Sequence, residues 1–393
     1  MNKHTLDEFK IIATQALASK ETPNKKQEEW RHSDLKLLEI CNDEIKAIGQ
    51  KMLISPSEEY YSLFLVNKKL DKNKSVLPKT GIKIYGVNDK EFIDELFKLN
   101  LEKGFDNKYQ VLQNYSKMTS GILINISQTL DRPLKICYSS HASYHVTFVK
   151  IDKGISVKFY EEFIQYENGF TNQVTKIKLG ENSNCKHFKQ HNFGSNANFI
   201  YSSEITCKKH SQYDNYVVNI ECKSYRQDIG CKLQGEKASG NFYGIVIGKK
   251  QEIYDMILKI DHQSSYTSSI QHYNQVFADK SRGSFIGNTK IPKFLNGIEA
   301  HQLNKNLLLG EKARAFSKPE LDIHSDDVAC SHGATVGNLD EDAMYYLKSR
   351  GIDKQIAEKL IVQGFLKSVF EDKELDKRDY KKLTYQIADS ISL

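Results

Sequence analysis

The chain has 393 residues, of which 39% are hydrophobic and 27% are charged, and its formal net charge is +6 at pH 7. This composition supports a sizeable core and differs from that of a globally disordered chain. Basic and acidic residues are interspersed, as in the run KKLDK at 68–72, so the small positive excess does not indicate a nucleic-acid partner. No run of about 18 apolar residues occurs, so we expect no membrane span.

The cysteines and the first residues bear on the compartment. Seven cysteines are present, no two of them form a Cys-x-x-Cys pair, and they occupy positions 41, 137, 185, 207, 222, 231 and 330. The first residues lack an apolar signal core, and Asp7 and Glu8 argue against an organellar transit peptide. An odd number of thiols without a secretory signal predicts reduced cysteines in a cytoplasmic protein.

The first region predicted in chain order, residues 1–110, is helical at its start and mixed afterwards. Apolar residues recur there at helical spacing at Leu6, Phe9, Ile12, Ala16 and Leu17. This pattern predicts an amphipathic helix that is broken at Pro23. A second amphipathic stretch surrounds Trp30. Two later runs, 63–66 and 82–87, have the composition of strands.

The second region, residues 111–337, has the pattern of a β structure. Short runs alternate between apolar and other side chains, at 142–148, 155–159, 174–179, 199–207, 216–222, 229–233 and 242–247. Turn-forming residues separate most of these runs, and no convincing ten-residue helical stripe occurs between about 140 and 250. An ordinary parallel sheet needs crossover helices, so the pattern favours a sandwich, a barrel or a β-solenoid. The irregular spacing leaves these three open.

The third region, residues 338–393, is predicted to be helical. Asn338 followed by Glu341 resembles a capping box, and Gly351 is a candidate stop after the first helix. Asp353 can cap a second helix. A third apolar stripe recurs every fourth residue, at Leu383, Ile387 and Ile391. We expect a helical hairpin or small bundle attached to the β body.

The candidate chemistry lies in the segment SKPELDIHSDDVACSHGATVG, residues 317–337. If this segment is extended, Cys330 and His332 point to the same face. Thiolate and imidazole are ligand types that iron, copper and zinc favour. Two ligands do not complete a zinc site, so a structural thiol beside a hydrogen-bonded imidazole is the alternative that spacing alone favours. A Cys–His nucleophilic dyad is a further alternative, although no oxyanion-binding group or third member is identifiable.

Other candidate sites are weaker. His262 stands beside a predicted strand, where we expect it to be only hydrogen-bonded. His187 and His191 lie close to Cys185, but the Asn, Ser and Lys residues around them predict a solvated loop. Neither a GxxxxGK[ST] motif nor a GxGxxG motif after a strand is present, so we expect no nucleotide to be bound by this chain.

Seven segments of the chain match the pattern of one known family. They are LQGEKASGNFYG at 233–244, DHQSSYTSS at 261–269, NKNLLL at 304–309, KPELDI at 318–323, DVACSHGATVG at 327–337, YYLKSRGI at 345–352 and, near the start, PNKKQEEWRHSDL at 23–35. On these segments the sequence resembles the SufB/SufD family of iron–sulfur cluster assembly proteins. SufB members carry His-Glu-Ala where this chain has His-Gly-Ala at 332–334, and they carry a sulfur-accepting cysteine in the preceding strands. This chain has no cysteine between 232 and 329, so both differences favour the SufD type.

The resemblance implies a fold and a set of partners. It implies a right-handed parallel β-helix flanked by α-helical N- and C-terminal regions. It implies a heterodimer with a SufB-like subunit through the two β-helices, and it leaves a homodimer open for the isolated chain. The C-terminal region would dock a SufC-like ATPase, through residues that we assign as Tyr346, Leu347, Arg350, Gly351 and Phe365.

The resemblance also implies a function. The chain would be a non-catalytic scaffold subunit of an ATP-driven complex, in which His332 holds iron and Cys330 contributes beside it. The cofactor would be a transient iron–sulfur cluster, or iron, shared with the partner subunit. Two alternatives differ in kind. One is a structural adaptor that recruits the ATPase without cluster chemistry, and the other is a stand-alone metal-dependent enzyme on a β-solenoid.

Overall fold

The computed structural model describes most of the chain, namely residues 4–40, 57–66, 69–139, 142–165, 168–193, 196–371, 373 and 375–390. Cys41 and Ile391, which entered the sequence predictions, lie outside these residues. Among the described helices, none combines the length and the apolar character needed to cross a lipid bilayer.

The N-terminal region begins with helix α1 (Leu6–Ala18), as predicted. Thr5 and Glu8 form a capping box, in which each side chain accepts a hydrogen bond from the backbone N–H of the other residue. The stretch around Trp30 is not one amphipathic helix but two 3₁₀ turns, Glu28–Trp30 and Leu35–Leu38. The second turn starts at Leu35 because the Asp34 carboxylate accepts a hydrogen bond from the Lys36 N–H and so caps this turn.

The remaining helices and strands follow these turns along the chain. Before the β body come β1 (Tyr61–Val66), β2 (Lys69–Leu70), β3 (Ile82–Gly86), α2 (Lys90–Leu96) and α3 (Tyr109–Lys117). The β body consists of β4 (Ser120–Ile126), β5 (Leu134–Ser139), β6 (Ala142–Ile151), β7 (Ser156–Gln165), β8 (Phe170–Leu179), β9 (Asn184–Phe193), β10 (Asn198–Cys207), β11 (Gln212–Ile220), β12 (Ser224–Leu233), β13 (Ser239–Gly248), β14 (Ile253–His262), β15 (Ser268–Phe277), β16 (Arg282–Ile291), β17 (Ile298–Leu308), β18 (Arg314–Ile323) and β19 (Val328–Gly337). The C-terminal helices are α4 (Glu341–Ser349), α5 (Lys354–Lys367) and α6 (Lys377–Ser390).

The strands form two sheets that the chain visits alternately. From β4 to β18 the even-numbered strands make one sheet, and from β5 to β19 the odd-numbered strands make the other. Neighbouring strands within these runs are parallel, whereas β3 joins β4 in the antiparallel sense. Because each return to a sheet passes through one strand of the opposite sheet, no crossover helix is needed. The fold is therefore a parallel β-helix, which decides among the three architectures that the sequence pattern left open.

The repeat length of the β-helix varies along the chain. The turn that leads from Asn198 to its partner Ser224 is shorter than the turn that leads from Arg282 to its partner Arg314. The strands at both places pair over their full length, so the difference is taken up in the corners between strands. This variation explains why spacing alone does not reveal the repeat.

Apolar side chains fill most of the interior, and helices cover part of both outer faces. Ile177, Val217 and Met256 are examples of inward-facing, fully buried residues from three successive parts of the coil. Helix α3 packs on the even-numbered sheet at β6 and β8, and helices α5 and α6 pack on the odd-numbered sheet at β15 and β11. The outer faces near β18 and β19 are left more exposed.

The C-terminal helices agree with the sequence predictions except at their first cap. Asp340, and not Asn338, caps α4, because its carboxylate accepts hydrogen bonds from the N–H groups of Asp342 and Ala343 at 2.9 and 3.1 Å. Strand β19 continues to Gly337, so the chain needs the next two residues to leave the sheet. Gly351 does follow the helix with φ of 80°, and Asp353 does cap α5.

Candidate functional site

Cys330 and His332 lie on β19, the last strand of the odd-numbered sheet. Strand β19 is extended, as predicted, and among the described strands it pairs with β17 alone. Cys330 is opposite Ala300, and His332 is opposite Gln302. Because residues two apart on a strand share a face, and Ala300 and Gln302 are interior residues, both side chains lie on the inward-facing side of the terminal rung.

Exposure changes abruptly between the last two rungs of this sheet. Ala300 is 0% exposed and Gln302 is 3% exposed, whereas Cys330 is half-buried and His332 is exposed. No further described strand covers them. Partial burial raises the pKa of the Cys330 thiol, so the free thiol is protonated at neutral pH. A metal ion or a nearby cation would be needed to stabilise the thiolate that acts as a ligand.

The same end of the β-helix presents strand edges that no other described strand pairs with. Strand β18 is the terminal strand of the even-numbered sheet, and among the described strands it pairs with β16 alone. Pro319 within it lacks an N–H group, but its other residues retain theirs. The apolar side chains of Phe316 and Val336 are 41% and 50% exposed. A strand edge presents N–H and C=O groups that can form hydrogen bonds with a further strand. This end is therefore suited to pairing with another chain.

The two predicted ligands do not recruit further protein ligands from their own segment. The His324 ring lies 2.8 Å from the Asp322 carboxylate, and Asp327 accepts the Gly297 N–H at 2.8 Å. Over the described ranges, no three His, Cys, Asp or Glu side chains are grouped closely enough to hold a metal ion. The two side chains therefore fall short of the three or four protein ligands that a zinc site takes.

His262 is satisfied within the protein, as predicted. Its Nδ1 lies 2.8 Å from the Thr267 hydroxyl, and its Nε2 lies 2.9 Å from the Ser269 hydroxyl. Burial lowers the pKa of His262 to about 4, so the ring is neutral. Both ring nitrogens are occupied, and the residue is not a free ligand.

The prediction of a solvated loop around His187 and His191 is wrong. Both residues belong to β9, where they are 0% and 2% exposed. Cys185, His187, Lys189 and His191 alternate along this strand and face the interior. The polar composition predicted exposure to solvent, whereas this part of the β-helix has a polar interior. Their spacing of two residues is the signal that could have identified the strand.

A carboxylate organises this polar interior. Glu161 on β7 accepts hydrogen bonds from the hydroxyls of Tyr138, Tyr201 and Thr175, at 2.9, 2.6 and 3.2 Å. His187 Nε2 lies 3.1 Å from the same carboxylate. Burial alone would raise the pKa of Glu161, but these interactions outweigh it and lower the pKa. The carboxylate is therefore ionised and fully enclosed. This cluster was not predicted.

The N-terminal 3₁₀ turns are fixed to the even-numbered sheet by a buried arginine. Arg226 of β12 is fully buried, and its guanidinium lies 3.6 Å from the centre of the Trp30 ring. Its Nε donates to Asp228 at 2.9 Å, its Nη1 donates to Ser33 at 2.7 Å, and it is paired with Asp255. The segment EEWRHSD, residues 28–34, thus lies across the even-numbered sheet, and Arg226 holds it there in a structural role.

The predicted ATPase-docking residues lie on and after α4. Tyr346 is 58% exposed, Arg350 is exposed with its guanidinium 5.4 Å from the Tyr346 ring centre, and Leu347 is partly buried. Gly351 ends the helix. Phe365 differs from these residues because it packs in the buried cluster between α5 and the odd-numbered sheet. A cleft of about 550 Å³ runs between α4 and the end of β17.

Comparisons with known proteins match a part of the chain that includes β19 and α4. The family model described as SUF system FeS cluster assembly, SufBD core domain, matches residues 136–365. The iron–sulfur cluster assembly protein SufD of Escherichia coli K12 is 27% identical over 242 residues, which cover 59% of this chain and 55% of that protein. A SufBD family protein of Synechocystis is 30% identical over 207 residues, which cover 53% of this chain and 46% of that protein.

A third relative extends over more of the chain. The iron–sulfur cluster assembly protein SufD of Bacillus subtilis is 23% identical over 354 residues, which cover 86% of this chain and 80% of that protein. The chain spans only about half the length of the two relatives from Escherichia coli and Synechocystis. The matched range of the family model includes the terminal strands β18 and β19, helix α4 and most of α5.

Proposed function

The chain is a SufD-type member of the SufB/SufD family, and we propose that it forms one side of a site at which a partner subunit and this chain assemble an iron–sulfur cluster. The observation that carries this proposal is the position of Cys330 and His332 on the inward-facing side of the last rung. They provide one sulfur and one ring nitrogen at an end of the β-helix that no described strand covers. Iron and sulfide are the cargo of this site.

The partner at this end is proposed to be a SufB-like subunit. The outer edges of β18 and β19, which no described strand pairs with, offer main-chain donors and acceptors for strand addition. The exposed side chains of Phe316 and Val336 add apolar surface beside these edges. A second β-helix that pairs here would enclose Cys330 and His332 at the junction. Its own residues would then complete the ligand set that this chain leaves incomplete.

The second partner is proposed to be a SufC-like ATPase, bound at α4. Only residues 338–340 separate α4 from β19, so a displacement of α4 would be passed directly to the strand that carries His332. The next helix is held to the β body, since Asn274 Nδ2 donates to the Phe365 carbonyl at 2.6 Å. ATP-driven movement of the partner could in this way expose the junction and close it again.

Reconstitution of the complex tests the proposal. This chain is purified together with a SufB-like chain and a SufC-like ATPase, and cluster formation is followed by absorption under anaerobic conditions. His332→Ala, alone and with Cys330→Ala, is expected to leave the complex assembled and to lower cluster yield sharply. His324→Ala is the control, because His324 is also exposed near this end but is paired with Asp322.

The outcomes separate the proposal from its alternatives. Normal cluster yield in the double variant would leave only the adaptor function, in which this chain recruits the ATPase without holding iron. Cluster chemistry by this chain in the absence of both partners would favour the stand-alone enzyme. A homodimer of the isolated chain that disappears when the SufB-like chain is added would indicate that both partners use the same edges.

A further inference from the structure

The N-terminal segment 28–34 reaches the last strand of the even-numbered sheet. Trp30 lies on Arg226 of β12, whereas Glu28 is paired with Lys318 of β18. Strands β12, β14, β16 and β18 are consecutive neighbours in this sheet. The segment therefore spans the outer face of four strands and arrives at β18, whose outer edge no described strand pairs with.

An imidazole of this segment is stacked on an aromatic ring of β18. The ring centres of His32 and Phe316 are 3.8 Å apart, and the two planes differ by 15°. Desolvation lowers the pKa of His32, so the ring is neutral at pH 7. The stack does not bury its partner, because Phe316 is still 41% exposed. Apolar surface thus remains where the segment meets the terminal strand.

A pocket of about 380 Å³ opens beside this stack, and it is lined by the N-terminal segment, β16, β18 and the end of β19. The residue of β19 is Val336, which pairs with the buried Asn306 and lies on the inward-facing side of its sheet. Phe316 lies on the opposite side of β18, on the outer face, where it contacts His32. A pocket that touches both sides extends over the outer edge of β18.

The walls of the pocket suit an uncharged, apolar side chain. Ring and aliphatic surface comes from His32, Phe316 and Val336. Lys318 at the rim is already paired with Glu28 and Glu320, and Arg31 is exposed, so its charge stays hydrated. A volume near the lower end of the range for ligand pockets, about 300–1,000 Å³, is enough for one large side chain.

A strand added at the edge of β18 would place a side chain over this pocket. Such a strand lies about 4.8 Å from its neighbour, and its side chains alternate between the two faces of the sheet. A residue opposite Phe316 would point to the same face as that ring. Its side chain would therefore come to lie beside His32, and the N-terminal segment would contact the added strand.

We propose that residues 28–32 form part of the contact surface for the SufB-like subunit, and that the pocket between His32, Phe316 and Val336 takes one aromatic or large aliphatic side chain from the strand that this subunit adds at β18. The identity of the partner rests on the proposed function, whereas the pocket itself does not. The N-terminal segment then serves two purposes, since it stabilises one chain and helps to join two.

Photocrosslinking in the assembled complex with the SufB-like chain and the ATPase tests the proposal. The photoreactive residue p-benzoylphenylalanine replaces Arg31 at the rim of the pocket, Asp322 further along β18 and outside the pocket, or Tyr385 on α6. The adduct at position 31 is expected to link to one extended segment of the SufB-like chain. The adduct at position 385 is expected to form no link to that chain.

The pattern of cross-links distinguishes two kinds of failure. Links to the SufB-like chain from position 322 but not from position 31 would overturn the pocket contact and leave the pairing at β18 intact. Links from neither position would overturn the pairing at this end, and with it both the pocket contact and the proposed place of the partner.

Binding affinity provides the second readout, measured by calorimetry with the purified chains. Phe316→Ala is expected to weaken binding of the SufB-like chain by about 10-fold or more, because aromatic anchors dominate interface energies. Val336→Trp, at a side chain that is 50% exposed, is expected to have a similar effect because it fills the pocket. Tyr266→Ala is the matched control, since Tyr266 is 53% exposed on a corner outside the pocket.

Thermal melts show whether each variant is folded. If Phe316→Ala does not fold, Val336→Trp carries the test, because it adds a ring at an exposed position and removes no buried contact. Wild-type affinity in the folded variants would overturn the proposal, as would an equal loss in Tyr266→Ala.

Discussion

The guanidinium of Arg226 lies between the Trp30 ring, 3.6 Å from its centre, and the carboxylates of Asp228 and Asp255. The tryptophan and the arginine are far apart in sequence, yet both are buried in one contact. Burial disfavours the charge on Arg226, but the two carboxylates outweigh it and raise its pKa. Burial likewise opposes the charge on Asp228, but Arg226 and Lys108 outweigh it and hold the pKa of Asp228 at about 2.

This contact predicts a large effect on stability. Arg226→Leu leaves Asp255 as a buried carboxylate without its paired cation and Asp228 with Lys108 alone, so the free energy of unfolding is expected to fall by about 3–5 kcal/mol. Chemical denaturation followed by circular dichroism measures the change. Arg132→Leu is the control, because Arg132 also lies over an aromatic ring, that of Tyr61 at 4.3 Å, but is only partly buried. Equal losses in the two variants would contradict the prediction.

Lys189 predicts an unusual pH dependence of stability. The residue is enclosed in the polar interior, where its ammonium lies 4.4 Å from the centre of the Tyr201 ring. Burial lowers the pKa of Lys189 from 10.5 to about 7, although Glu161 acts in the opposite direction. Between about pH 7 and pH 10.5 the unfolded chain therefore binds one more proton here than the folded chain. The contribution of this group makes stability rise with pH across that window.

Lys189→Met removes this titration. Below about pH 7 the wild-type chain keeps a buried ammonium, so the variant is expected to be more stable there by on the order of 5 kcal/mol. The advantage should shrink as the pH rises towards 10.5. Urea denaturation at a series of pH values measures both quantities. A difference between the two proteins that does not change with pH would show that Lys189 has no shifted titration.

Tyr346 predicts a specific loss of ATPase binding. It is 58% exposed on α4 and has Arg350 beside it, and tyrosine and arginine are enriched among the residues that dominate interface energies. Tyr346→Ala is expected to weaken binding of the SufC-like ATPase by about 10-fold or more. Binding is measured by calorimetry with the purified chains. Tyr385→Ala is the matched control, because Tyr385 is 67% exposed on α6, away from α4.

The pattern of the sequence predicted local elements better than it predicted their arrangement. Helix α1, the strands β6 to β8 and β10 to β13, and the Asp353 cap follow from spacing and cap chemistry, which act over a few residues. The β-helix could not be predicted in this way. Its repeat length changes from turn to turn, so the spacing in the sequence does not show which strands pair. Only the resemblance to a known family pointed to a β-helix, and the alternation of strands between two sheets confirms it.

The interior shows a second limit of sequence patterns. His187 and Glu161 are buried because they satisfy each other, and this compensation is visible only once β7 and β9 are adjacent. A polar residue considered singly predicts solvent exposure, so β9 was assigned to a loop. The same reason applies to Gln302, whose sequence neighbours give no sign of the Thr289 and Glu320 groups that orient its amide. Cys330 and His332 were identified by residue type, and their role remains a prediction.

The edges of β18 and β19, which no described strand covers, also have a consequence for the amount of this protein that a cell can tolerate. If the proposed partner subunit pairs with these edges, a surplus of this chain over that partner would present a template on which further extended polypeptide can accumulate. Matched synthesis of the two chains, or prompt removal of the excess by proteases, would then be a condition of solubility. The exposed strand edges of the last turn of the β-helix would in that case determine the ratio in which the two chains are made.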